Sequence, residues 1–440
     1  MSRILGIELR RSSAAGTALL LLLVGAAILY AAPERWSAGW MPLAMIQREY
    51  LVLLWPLALA AGAWQARREH RSNVAELFAS TARPRAQRMV PTLGAMGIAV
   101  VCAYLTMVAA GAPWIAGTAR YLPAAAVAVA AVGALALVAA AWLGLAIGRL
   151  MPSLVTAPAL AVAGIGLLMV IPVAVRRTEW LALVFSPMYG MGQYTDYQTV
   201  YGRVSAAQAI WLAALAVTAA ALLASDGWRT RLVALLPAVL GAALAMTVVP
   251  RDDEFVSHPV DPVAQEQVCA EGSPRVCVSR VHAGLLPEVV PSARRAMTML
   301  AKLPDAPTQA HEDTTTFYPD TSPTRRADTV LIPVRVDSAG HLASGARIIP
   351  EMVYAAGANT RGCQEAPSTD VARAAGAWLT GEEPVAEHSD EPAEVNAAAV
   401  TLWQGLRQLP EDEAAARVAA VRRAALACED VDGLLSRSAR

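Results

Sequence analysis

His311-Glu312-Asp313-Thr314-Thr315 sets a histidine beside a glutamate as a zinc peptidase helix does, but Thr315 stands where the second histidine of H-E-x-x-H is required. Two histidines four residues apart share a helix face and grip zinc beside the glutamate base, so this stretch holds half of that set. His258, His282, His341 and His388 are isolated along the chain, with no paired ligand spacing. Lys302 is the only lysine and lies in Met299-Leu300-Ala301-Lys302-Leu303-Pro304, without the glycine loop of a phosphate-cradling G-x-x-x-x-G-K-[ST] motif. Any ATP hydrolysis that serves this chain is therefore assigned to a partner. No C-x-x-C and no G-x-S-x-G occurs. The expectation is a protein without a catalytic residue set, a metal site or a resident cofactor.

What surrounds these residues explains the lack. Seven apolar runs without a charged side chain fill the first 250 residues: Ser12 to Pro33, Tyr50 to Ala66, Pro91 to Ala119, Tyr121 to Ile147, Leu150 to Val175, Val204 to Ser225 and Leu232 to Pro250. Most reach the roughly 20 residues needed to cross a hydrocarbon layer of ~30 Å. The second is short, and apolar Trp40 to Gln47 extends it past Arg48-Glu49, a pair expected near the outer interface with Arg48 snorkelling. The first run stays apolar from Leu19 to Ala32 without a small-x-small cleavage site, so it reads as a span and not a cleaved signal.

A formal net charge of zero conceals two opposite halves. Up to Pro250 there are 18 basic and 8 acidic residues; beyond it there are 18 and 28. The acidic half argues against nucleic acid as a partner, and the basic half fits loops lying on anionic lipid. Arg3, Arg10 and Arg11 precede the first span, and Arg67, Arg68, Arg71, Arg83, Arg85 and Arg88 lie between the second and third. The positive-inside rule puts both segments in the cytoplasm. Seven spans then deliver the C-terminal region to the extracytoplasmic side of a plasma membrane, with Arg176 and Arg177 the local exceptions. Four of the five cysteines, Cys269, Cys277, Cys363 and Cys428, fall in that region, an even number in an oxidising compartment. Of the three possible connectivities, the favoured one joins Cys269 to Cys277 and Cys363 to Cys428.

Charge-free spans speak against ion-coupled transport, because intramembrane ionisable residues are what proton relays and ion sites need. Between spans two and three, Val74, Leu77 and Phe78 have the spacing of one apolar helix face, Ser72 or Asn73 is a suitable N-cap, and Pro84 stops the helix. A short amphipathic helix flanked by arginines is suited to lie on lipid or in the groove of a partner.

This loop, with Glu69, Glu76, Leu77, Phe78, Ser80, Thr81, Arg83, Pro84 and Arg85, resembles the coupling region of ABC-2 type transporter permeases. Asn73-Val74-Ala75 replaces the glycine common before the helical glutamate in that family. Also similar are Ile4 to Arg11 as an interfacial elbow and Trp180 to Tyr201, with Ser186-Pro187-Met188-Tyr189-Gly190, as short re-entrant helices before the sixth span. The other reading of that segment is an interfacial loop with Tyr189, Tyr194, Tyr197 and Tyr201 as an aromatic belt. The resemblance covers about residues 1–225. It implies a permease subunit, paired as a homodimer or with a second permease. A separate ATP-binding subunit would dock on the 67–88 loop through Glu69, Glu76, Leu77, Phe78, Arg83 and Arg85.

The expected architecture is an α-helical polytopic membrane protein: a six-span permease-like region at 1–225, a seventh span at 226–250, and a mixed α/β, mainly helical extracytoplasmic domain at 251–440. In the latter, helices are expected at Ser292 to Leu303, Thr369 to Leu379, Glu394 to Leu409 and Asp412 to Cys428, and a strand at Val330 to Val336. The expected function is export of an amphipathic, lipid-like or peptide substrate. The alternatives are a membrane-anchored extracytoplasmic binding or sensing protein, or a degenerate zincin-like tail.

Overall fold

The computed structural model describes residues 13–71, 85–251, 258–318, 320–343, 347–361, 363, 368–386 and 392–436, with the backbone alone at 68–71, 85 and 86. The chain divides into two compact units, one of residues 1–116 and 122–260, the other of 117–121 and 261–440.

The first unit is helical. It contains α1 (Ala14–Ala31), α2 (Trp40–Glu49), α3 (Leu51–Arg71), α4 (Arg85–Ile115), α5 (Ala124–Leu150), α6 (Thr156–Ala174), α7 (Glu179–Phe185), α8 (Gly202–Ala224), α9 (Trp228–Val233) and α10 (Leu236–Val248). Among the described residues, six helices are long and apolar enough to cross a membrane; the count is seven if α2 and the 51–67 part of α3, bent by 52°, form one span. Helices of this composition arise because alanine and leucine lose little side-chain freedom in a helix. Their outer surface is apolar: Leu154, Val162, Val173 and Leu240 are between 66 and 73 % exposed. Water-facing surfaces rarely carry apolar patches of that kind, whereas lipid tolerates them.

Close packing of α3 on α5 follows from small residues. A Cβ at Gly144 would strike the Leu59 carbonyl, and one at Gly148 would come within 2.6 Å of the Ala63 Cα. Gly144 and Gly148 therefore serve a seam within this chain, of the small-xxx-small type that lets helix backbones approach.

The second unit has a four-stranded sheet in the order β1 (Gln267–Cys269), β2 (Arg275–Ser279), β3 (Gln309–Glu312), β4 (Thr329–Ile332). β1 runs antiparallel to β2, and β2, β3 and β4 are mutually parallel. The crossover from β2 to β3 is α11 (Leu286–Leu300), and α12 (Ile348–Val353), α13 (Thr369–Thr380), α14 (Ala393–Arg407) and α15 (Glu411–Ala427) follow. Val276, Val278, Val289, Leu300, Val330, Ile332, Met352 and Trp403 share one buried core. Parallel strands need apolar cover on their faces, and Val330 and Ile332, at period two, supply it from β4.

Several sequence boundaries shift. The first tail helix begins at Leu286, six residues before Ser292, with Pro287 at its second position, where a missing N–H costs little, and Pro291 inside it. The strand expected to reach Val336 ends at Ile332, and Val336 makes only an isolated bridge to Leu342. Pro333 supplies the reason, since it has no N–H to donate to a ladder.

Candidate functional site

Of the residues expected to couple to an ATPase, Glu69 is placed on α3 and Arg85 at the start of α4, by backbone only. Glu76, Leu77, Phe78 and Arg83 lie outside the described residues, as does the Ile4 to Arg11 segment. Both arginine-bearing helix ends run on as helix past the apolar stretch, α3 to Arg71 and α4 back to Arg85. The Trp180 to Tyr201 segment forms one short helix, α7, followed by irregular chain. Its tyrosines part company: Tyr197 is buried, and Tyr194 is exposed.

The cysteines pair as Cys269 with Cys277 and Cys363 with Cys428, with Cα separations of 3.9 and 5.4 Å. Cys269 and Cys277 are direct cross-strand partners of β1 and β2, so the ladder itself brings them together. Cys428 is the left-handed cap that ends α15, which turns its side chain back toward the 363 segment.

The Arg48-Glu49 pair corrects the sequence reading. Arg48 does not snorkel to an interface: it is wholly buried. Only Glu49 faces outward, where Arg35 Nη2 donates to both its carboxylate oxygens at 3.0 and 2.8 Å. Both are on the last turn of α2, where 3.6 residues per turn point consecutive side chains about 100° apart. Arg48 Nε and Nη2 donate to the Pro187 carbonyl at 2.9 and 2.5 Å, Nη1 to the Val129 carbonyl at 3.2 Å, and Nη2 to Gln208 Oε1 at 2.9 Å. Gln208 Nε2 in turn donates to the Leu183 carbonyl at 2.7 Å. One guanidinium thus joins α2, α5, the chain after α7, and α8. Among the described residues it is the buried charged side chain of this unit, and no carboxylate pairs with it.

One further polar atom stands beside this hub. Tyr104 Oη and Arg48 Cδ both abut Gly133. Tyr104 Oη, Ser186 Oγ and both amide atoms of neighbouring Gln47 are buried without a hydrogen-bond partner among the described residues. Buried polar atoms are nearly always satisfied, so a group of exceptions calls for a cause. The sequence signal was present, an arginine in an apolar ten-residue helix, but the distant segments that bury it were not legible.

In the second unit, His311 and Glu312 lie on strand β3, not on a helix, so successive side chains point to opposite faces. Glu312 turns inward to a residue 30 positions away. Its Oε1 sits 2.6 Å from His282 Nδ1, its Oε2 accepts the Ser279 N–H at 2.6 Å, and Ser279 Oγ lies 3.2 Å from the same His282 nitrogen. Serine, histidine and glutamate thus meet, but acid and hydroxyl converge on one ring nitrogen. A nucleophilic triad needs them on opposite nitrogens, so that the far one can take the hydroxyl proton. This cluster pins the end of β2 to β3. The sequence carried no spacing that would have marked it. His311 itself is held below the usual histidine range by burial, with Arg275 and Arg326 adding to the shift. Among the described residues, no three His, Cys, Asp or Glu side chains are grouped to hold a metal ion.

No family model, curated protein or solved structure matches the chain.

Proposed function

We propose that the chain is the permease subunit of an ABC-2 type exporter for an amphipathic substrate, working with a separate ATP-binding subunit. The observation that carries this reading is a buried polar hub inside an apolar helical unit, built on a permanently charged arginine without an acidic partner. An ionisable group among membrane helices marks a functional site by default. Arginine stays protonated at any physiological pH, so this one cannot relay protons. What it offers is a fixed positive charge with amide and hydroxyl neighbours, matched to the polar end of a lipid-like or peptide molecule whose apolar part stays in the bilayer. Energy then has to come from elsewhere, and the chain's lone lysine lacks a phosphate loop. The arginine-flanked 67–88 loop, led in and out by α3 and α4, is the docking surface for the ATPase, on the cytoplasmic side. The two disulfides agree with an extracytoplasmic second unit.

Pull-down of the full-length chain from native membranes tests the proposal, with ATPase assay of the complex. Recovery of an ATP-binding subunit is expected, and Leu77→Ala with Phe78→Ala should abolish stimulation of its activity. Recovery of no such subunit would sink the reading. A second reading, a membrane-anchored extracytoplasmic binding protein, draws on the independent core and disulfides of the second unit. Changes at Glu76, Leu77 and Phe78 would then be silent.

A further inference from the structure

The second unit holds a cleft of about 390 Å³ where β3 and β4 end. Asp313 follows the last residue of β3 and Pro333 the last of β4, so the cleft opens at the carboxyl ends of two parallel strands, where open α/β sheets bind ligands. Leu331, Pro333 and Tyr354 give it an apolar side. Arg335, Arg347 and Arg361 line the rest with Asp313 and Glu351, three guanidiniums against two carboxylates.

The two acids are not equally engaged. Asp313 accepts from the Thr315 N–H at 3.0 Å, Thr315 Oγ1 at 2.7 Å and Asn359 Nδ2 at 3.3 Å, and Arg361 stands 3.6 Å away. Its acceptor capacity is largely used. Glu351 lies 3.5 Å from Arg335 and 3.9 Å from Arg347, too far for well-formed hydrogen bonds. Neither of those guanidiniums has a side-chain hydrogen bond among the described residues. Two planar donor forks therefore face one cleft with their hydrogens unspent.

The chain between the lining residues Tyr354 and Gly357 is strained. Ala355, Ala356 and Gly357 are consecutive left-handed residues with φ of 49°, 56° and 78°, and the two alanines are fully buried. Arg422, itself buried, holds them by donating from Nη1 to the Ala356 carbonyl at 2.9 Å and from Nη2 to the Ala327 carbonyl at 3.0 Å. A side chain at position 357 would meet Arg422 Nη1 at 2.8 Å, so glycine is needed there for space as well as for φ. Backbone held in such conformations by its surroundings concentrates at ligand clamps.

We infer that this cleft binds a small organic oxyanion, a carboxylate or phosphate ester with a short apolar body. The anion takes the Arg335 and Arg347 forks, which match the two oxygens of such groups, and the body rests on Leu331, Pro333 and Tyr354. The volume is in the range of small-molecule sites. This assignment stands apart from the transport reading and holds whether or not the chain has an ATPase partner.

Calorimetric titration of the full-length chain in detergent with phenyl phosphate and with benzoate is the test, with phenol as the neutral counterpart. Saturable binding of at least one anion is expected, with a Kd on the order of 1 mM or tighter. Arg335→Gln combined with Arg347→Gln should weaken it by roughly tenfold or more. Arg295→Gln, on exposed α11 surface outside the cleft, should leave it unchanged. Both arginines are largely exposed, so an unshifted thermal midpoint would show that the double variant is folded. Failure of both anions to saturate, equal binding by phenol, or undiminished binding in the folded double variant would overturn the assignment.

Discussion

Arg48 and Arg422 solve one problem in two surroundings. Each is a buried arginine held by backbone carbonyls, Arg48 by those of Pro187 and Val129 and Arg422 by those of Ala356 and Ala327. Arg48 joins helices of a unit whose exterior is apolar, and its partners are 81 to 160 residues away. Arg422 instead locks a left-handed turn onto the edge of β4, in a unit that has its own core and two disulfides. Burial lowers the Arg422 pKa to about 10, still well above neutral pH, so it stays charged and the carbonyl cradle must hold a cation. The difference teaches that the same chemistry fixes tertiary packing in one region and local backbone strain in the other.

Removing Arg48 should have the largest effect. Arg48→Leu orphans the Pro187 carbonyl and Gln208 Oε1, at ~1–3 kcal/mol for each buried acceptor left unsatisfied, and a fall in thermal midpoint of the detergent-solubilised chain would record it. Arg48→Lys should restore only part of the loss, because an ammonium cannot reproduce the fork. An unchanged midpoint for Arg48→Leu would mean the hub does not hold the helices.

Redox chemistry sharpens the contrast next. Cys363 and Cys428 are 65 residues apart, Cys269 and Cys277 only 8. By loop-closure entropy, Cys363→Ser with Cys428→Ser should cost ~4 kcal/mol and the shorter pair ~2.5 kcal/mol. Limited proteolysis under reducing conditions should accordingly cut the second unit before the first. Equal loss of both units would erase the distinction.

A smaller effect of opposite sign is expected at the strained turn. Ala356→Gly relieves a left-handed conformation that costs an alanine ~1 kcal/mol, so denaturant unfolding of the second unit should shift to higher concentration. In Arg422→Met the clamp is gone, and the same glycine should give no such gain.

The smallest effect is a pH window on the exposed surface. His341 is raised above its usual 6.5 by its hydrogen bond to Glu288. Burial alone would raise Glu288, but hydrogen bonds from His341 and the Leu342 N–H outweigh it and hold the carboxyl below 4.5. The histidine's contribution is present below 6.5 and is lost as pH rises through its raised value. The carboxyl's is present above 4.5 and is lost as pH falls through its lowered one. Stability owed to this pair should therefore peak between pH 4.5 and 6.5, and His341→Gln should flatten the profile there.

Composition and period determined much of this protein. Uninterrupted alanine and leucine runs specify long apolar helices wherever they fold, since burial in lipid or protein is the only outcome that suits them. Helices at 369, 393 and 411 announced themselves through local apolar spacing, and the even cysteine count in the tail pointed to disulfides, one of which the β1–β2 register produces. Local pattern failed where distant segments met. Nothing near Arg48 encodes its burial against Pro187, because its partners come from three other stretches of chain. His311-Glu312 drew attention as neighbours, yet a strand turns them apart and gives Glu312 to His282. The cleft likewise gathers its arginines from three separate segments. Sequence periodicity reports which faces want burial; which side chains then meet, and which charges stay unspent, was decided only when the helices and strands closed on one another.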